Sequence, residues 1–126
     1  MKEPIWISKA VVLAMHDELL AEHGGASGIR DKSLLDSALH RPENIFSYGD
    51  ADLFTLATVY ITGIVGNHPF VDGNKRTAYV TGGIFLERNG KTLMASEEEA
   101  TEFMLALAGR KITDHDFTQW LADNCK

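Results

Sequence analysis

Disulfides, a convincing membrane span and a basic surplus are all missing from this chain of 126 residues. Cys125 is the only cysteine, so no internal disulfide can form, and a reducing cytoplasmic setting is expected. The uncharged stretch Leu53–Gly66 is too short, and too rich in Thr and Gly, to cross a bilayer. Met1–Ser8 lacks the apolar core of a secretory leader. Twelve Lys and Arg stand against 18 Asp and Glu, a net charge of −6, which argues against general nucleic-acid binding. A Walker phosphate loop is excluded because no Gly-x4-Gly-Lys-[Ser/Thr] string occurs. His16, His23, His40 and His115 show no paired metal-ligand spacing and are expected at the surface or in caps. Repeats, low-complexity tracts and linkers are absent, so residues 1–126 are expected to form one domain.

What remains is concentrated in His68-Pro69-Phe70-Val71-Asp72-Gly73-Asn74-Lys75-Arg76. Leu53–Gly66 reads as a buried helix, and Gly66 and Pro69 oppose its continuation, which leaves His68 at or just past the helix end. Phe70 is the expected apolar anchor of the loop. Asp72-Gly73 is a turn signal, and Asn74 is the expected N-cap of a helix from about Lys75 to Asn89, ended by Gly90. Lys75 and Arg76 then fall in that helix's first turn, where cations oppose the macrodipole at a cost of about 0.3–1 kcal/mol each. Two misplaced cations beside free backbone N–H groups make sense when an anion such as phosphate occupies the site. Taken alone, a loop histidine or an Asp-Gly pair is an ordinary turn feature. The full string places a base, a carboxylate and two cations within nine residues and points to catalysis.

The other periodic segments are helical. Ser8 can cap a helix through about His23, with Val12, Met15 and Leu19 inward and Gly24-Gly25 ending it. Asp31 can cap a second through about His40, bearing Leu34, Leu35, Ala38 and Leu39. Asp50 or Asp52 opens the uncharged helix. Ser96 with Glu99 is a capping-box pattern before Phe103, Met104 and Leu107, stopping near Gly109. Glu97-Glu98-Glu99 is a favourable acidic first turn rather than a metal site. Thr113 opens a last helix with Phe117, Trp120 and Leu121, and Lys91–Ala95 reads as a short extended connector. The expected fold class is all-α: a compact bundle of about six helices, with the motif loop at the N-terminus of a central one.

The His68–Arg76 string resembles the signature of the Fic/Doc superfamily, and most of all its Doc branch, the death-on-curing toxins of type II toxin–antitoxin modules. Trp6-Ile7, Gly28-Ile29-Arg30-Asp31, Leu34–Leu39, Arg41-Pro42-Glu43-Asn44 and Phe85–Gly90 also resemble Doc-type chains, so the likeness covers nearly the whole sequence. Fic nucleotidyl transferases typically read His-Pro-Phe-x-x-Gly-Asn-Gly-Arg-x-x-Arg. Here Lys75 replaces the second glycine and Tyr79 the last arginine. A lysine fills the room that glycine leaves for phosphates. In the Doc branch this replacement is associated with a reversed nucleotide that presents its γ-phosphate.

The resemblance therefore implies a protein kinase that phosphorylates a Ser or Thr hydroxyl of a translation factor, elongation factor Tu, and so inhibits translation and growth. It implies His68 as general base, Asp72 as the Mg²⁺ ligand, Gly73 and Asn74 as the anion-binding turn, and Lys75 and Arg76 as neutralisers of phosphate charge on ATP. Gly24–Asp31 reads as a mobile loop and resembles a flap beside the target, with Arg30 its candidate contact. No inhibitory [Ser/Thr]-x-x-x-Glu-[Gly/Asn] string occurs, so restraint by a separate antitoxin of the Phd type is expected. The alternatives are a Fic-type AMP transferase, which Lys75 and Tyr79 oppose, and a catalytically idle module that only binds an antitoxin or repressor.

Overall fold

The computed structural model describes residues 2–126; Met1, the first residue of the stretch expected to lack leader features, lies outside them. Six helices follow in order: α1 (Lys9–His23), α2 (Lys32–Tyr48), α3 (Leu53–Asn67), α4 (Asn74–Arg88), α5 (Glu97–Ala108) and α6 (Asp114–Asp123). The fold is all-α, and extended pairing among the described residues is limited to two isolated bridges. No helix among these residues is long and apolar enough to cross a membrane.

Local chemistry starts most of the helices. Ser8, Asp31, Asp52, Ser96 and Thr113 each accept a backbone N–H of the first turn through the side chain, and so satisfy donors that a helix start leaves unpaired. The reciprocal capping box belongs to Thr113 and Asp116. At Ser96 only one half forms, because the Glu99 carboxylate instead accepts from the Trp120 indole at 2.8 Å. The expected connector is extended: Thr92 and Lys126 exchange backbone hydrogen bonds, and Leu93 bridges to Cys125.

α3 occupies the middle because it carries no charge to desolvate, and it packs against α2, α4, α5 and α6. Leu56, Tyr60, Ile61 and Ile64 of this helix join Leu35, Phe85, Leu86, Phe117 and Leu121 in a core closed to water. Tyr60 is satisfied within it by accepting the Ile7 N–H at 3.0 Å, and burial pushes its phenol up to about 12.

α2 runs to Tyr48, past Pro42, rather than ending near His40. Proline inside a helix costs about 3 kcal/mol through a lost hydrogen bond and a ring clash. Here Pro42 is buried, and the added turns bring Phe46 edge-on to Trp6 at 5.7 Å, which itself stacks on Phe85. Long-range packing overrides the local break.

Glycines set the helix crossings. A Cβ on Gly63 would stand 3.3 Å from Ala38 of α2, and one on Gly82 would lie 2.5 Å from Ile61 Cδ1 and 2.7 Å from its Cγ1. Gly83 next door meets nothing within 4 Å. Alanine in a helix gains about 0.5–1 kcal/mol over glycine, whereas overpacking costs about 1–3 kcal/mol. Gly83→Ala is therefore expected to raise the urea midpoint and Gly82→Ala to lower it. Equal shifts in the two variants would contradict the close α3–α4 crossing.

Candidate functional site

The motif loop joins α3 to α4, so both ends are anchored in the two innermost helices. His68 caps α3 in the left-handed region (φ 51°, ψ 54°), donating its N–H to the Ile64 carbonyl at 3.0 Å. Such backbone is uncommon for a residue with a Cβ and persists only where its surroundings hold it. Arg30 supplies the hold. Its Nε donates to the His68 carbonyl at 2.7 Å and an Nη to the Asn67 carbonyl at 2.9 Å. The Arg30 and Asp31 N–H groups both donate to the Pro69 carbonyl, and Val71 N–H donates to Gly28 O. Gly28–Asp31, expected as part of a mobile flap, is thus laced to the motif loop, and Arg30 is committed to backbone carbonyls.

Asn74 is not the N-cap. Gly73 holds that position with φ 78° and no side-chain cap, and α4 begins one residue early at a buried Asn74. The reason is a tighter use of the amide. Asn74 Oδ1 accepts the Phe70 N–H at 3.0 Å while Nδ2 donates to the Phe70 carbonyl at 2.9 Å, which closes the loop and fixes the amide orientation. Nδ2 also points at the His68 ring, 3.0 Å from Nδ1 and 3.4 Å from Nε2. The similar distances to both ring nitrogens place this amide over the ring rather than on one lone pair, so the contact packs the imidazole against the loop. Phe70 is fully buried, as an anchor should be.

Asp72 is exposed beside this loop. Its Oδ1 accepts the Gly73 N–H at 2.9 Å and its Oδ2 the Ala26 N–H at 3.3 Å. Lys75 and Arg76 are exposed on the first turn of α4, and neither is in an ion pair among the described residues. With no side-chain cap on that turn, the N–H groups at the start of α4 lack an acceptor, and the local field is positive. Among the described residues no cluster of three His, Cys, Asp or Glu could form a complete protein cage for a metal. One carboxylate beside a turn of unpaired N–H groups does fit Mg²⁺, which commonly takes one or two carboxylates and fills the remainder with phosphate oxygens and water.

These groups line one side of an open cavity of about 1160 Å³. Its other side, between α4 and α5, is apolar and includes Val80, Ala100, Met104 and Leu105. Tyr79 lies on the same wall, one turn beyond Lys75, and burial above all raises its phenol, so it remains a neutral donor at physiological pH. His68, Asp72, Gly73, Asn74, Lys75 and Arg76 all line this cavity; Arg30 does not.

The residue missed by sequence reasoning is His16. It is 3% exposed rather than at the surface, stacks on Phe70 with centroids 3.8 Å apart, and donates through Nε2 to the Asp72 carbonyl at 2.8 Å. The signal was available. His16 follows Val12 by four residues and precedes Leu19 by three, which places it on the inward stripe of α1.

Known proteins share this arrangement of sequence. The model of the Fic/DOC family matches residues 6–86, from just before α1 through most of α4. A protein named protein kinase doc from Escherichia phage P1 is 33% identical over 95 residues, covering 75% of this chain and 75% of its own. A protein named toxin Doc from Mycolicibacterium smegmatis is 37% identical over 91 residues, covering 69% of this chain and 70% of its own. On the family match across more than half its length and two relatives above 30% identity, the chain belongs to the Fic/DOC family.

Proposed function

We propose that this protein is the toxin of a type II toxin–antitoxin module and acts as a protein kinase. It transfers the γ-phosphate of ATP to a Ser or Thr hydroxyl of a translation factor, with elongation factor Tu the first candidate. The observation that carries this reading is the uncapped start of α4, where Lys75 and Arg76 stand without ion-pair partners among the described residues, beside His68 and Asp72. The names of the two relatives, one a kinase and one a toxin, support it.

In this reading His68 removes the proton as the target oxygen attacks the γ-phosphorus. A bond forms from the target oxygen to phosphorus, the bond to the bridging oxygen breaks, and ADP leaves. Lys75, Arg76 and the free N–H groups of α4 stabilise the charge that builds on the phosphoryl and leaving oxygens, the main source of rate in phosphoryl transfer. Asp72 would hold Mg²⁺, which would supply positive charge against the phosphates. A Phd-type antitoxin is the proposed restraint, acting at the cavity or the flap, and the cytoplasm is the proposed setting.

Expression of the chain alone should arrest growth and leave a phosphorylated Ser or Thr on elongation factor Tu, read by peptide mass spectrometry. Normal growth with an active purified enzyme would remove the toxin reading, and an unmodified factor would move the target elsewhere. Lys75 carries the choice between γ and α chemistry. Lys75→Gly should lower γ-phosphate transfer by about 10²-fold, the scale of one lost electrostatic donor, and open a low level of AMP transfer. No change in either activity would defeat the steric argument.

A further inference from the structure

We infer that His16 is a positioning residue for the site, orienting the Asp72 carboxylate from below through a single peptide group. The inference rests on the proposed phosphate and Mg²⁺ chemistry. The carbonyl oxygen of Asp72 and the N–H of Gly73 belong to the same peptide plane. His16 Nε2 donates to that oxygen at 2.8 Å, and that N–H donates to Asp72 Oδ1 at 2.9 Å. A donor fixed on one edge of the plane therefore sets the direction of the donor on the other edge, and with it the side-chain oxygen it holds.

The imidazole is itself fixed. It sits on α1, is 3% exposed, and lies nearly parallel to the Phe70 ring at 10°. Donation to a carbonyl oxygen requires a proton on Nε2, which fixes that edge of the ring as the donor. The same peptide leads into Gly73, whose positive φ starts α4, and a Cβ there would stand 3.7 Å from the His16 ring. The His16 contact thus governs both the carboxylate and the direction in which the first N–H groups of α4 emerge. An ordinary buried histidine would only fill space. This one is the sole donor to the Asp72 carbonyl among the described residues.

The test compares wild type with His16→Phe, which keeps a ring against Phe70 but has no N–H, and His16→Gln, whose amide can donate from a similar position. His16→Met is a second donor-free variant should phenylalanine prevent folding. Affinity for Mg·ATP is read by calorimetry below the melting temperature, and γ-phosphate transfer is followed across a Mg²⁺ titration. The expected result is a loss of about tenfold or more in Mg·ATP affinity for the donor-free variants, the usual scale for residues that orient a metal ligand, with His16→Gln close to wild type. A purely structural role would lower the melting temperature and leave the affinity of the folded protein unchanged. That result, or an equal loss in His16→Gln, overturns the inference. If wild type binds Mg·ATP but transfers no phosphate, the kinase reading fails while the calorimetric comparison still decides the role of His16.

Discussion

Replacing His68 with Asn is expected to abolish growth arrest and cut phosphate transfer by about 10²–10⁴-fold, the contribution typical of a positioned general base. Asparagine is the informative choice because it tolerates the left-handed backbone that His68 adopts. The Arg30 bonds to the Asn67 and His68 carbonyls do not involve the imidazole, so the loop should stay closed. His68→Ala should lose the same activity and add a stability cost of about 1 kcal/mol, since alanine pays for left-handed backbone. A thermal melt separates the two effects. Activity retained in the folded asparagine variant would remove the base from the account and favour a binding module.

Asp72→Asn is the second large effect. The asparagine oxygen can still accept the Gly73 N–H and only the long, exposed bond from Ala26 is lost, so the turn should survive and the melting temperature should change little. The lost charge should weaken Mg²⁺-dependent transfer by about 10–100-fold or more. The half-maximal Mg²⁺ concentration should rise in parallel. A variant with wild-type rate and wild-type Mg²⁺ dependence would show that Asp72 does not hold the metal. The Ala26 N–H on the other carboxylate oxygen makes a further point: the glycine loop after α1 bears on the same group as the motif. A Cβ on Gly25 would stand 2.9 Å from that oxygen, so the loop approaches it closely.

The parts of this fold legible in the sequence are those written in local chemistry. Ser8, Asp31, Asp52 and Thr113 each cap the helix expected of them, and the uncharged Leu53–Gly66 stretch is the buried middle of the bundle. The cluster from His68 to Arg76 was visible because all its members lie within nine residues. Features set by distant contacts were not. α2 passes Pro42 because Phe46 finds Trp6, Glu99 leaves its capping box for Trp120, and Arg30 clamps the carbonyls at the end of α3. Asn74 was one position out for the same reason: pairing with both polar groups of Phe70 outweighs a cap. The chemistry of the His16 ring carries no signal, since no metal-ligand spacing surrounds it; its helical phase does, because it points inward to the loop.

The central claim is that this site moves the γ-phosphate of ATP, and labelled ATP tests it most directly. Purified protein is incubated with Mg²⁺ and a cell extract, using ATP labelled at the γ- or the α-phosphate. The account predicts label on a protein band from γ-labelled ATP alone, lost in His68→Asn. Label from the α-phosphate would establish nucleotidyl transfer and overturn the role given to Lys75. Silence from both, with the protein folded, would contradict the catalytic account and leave a binding module.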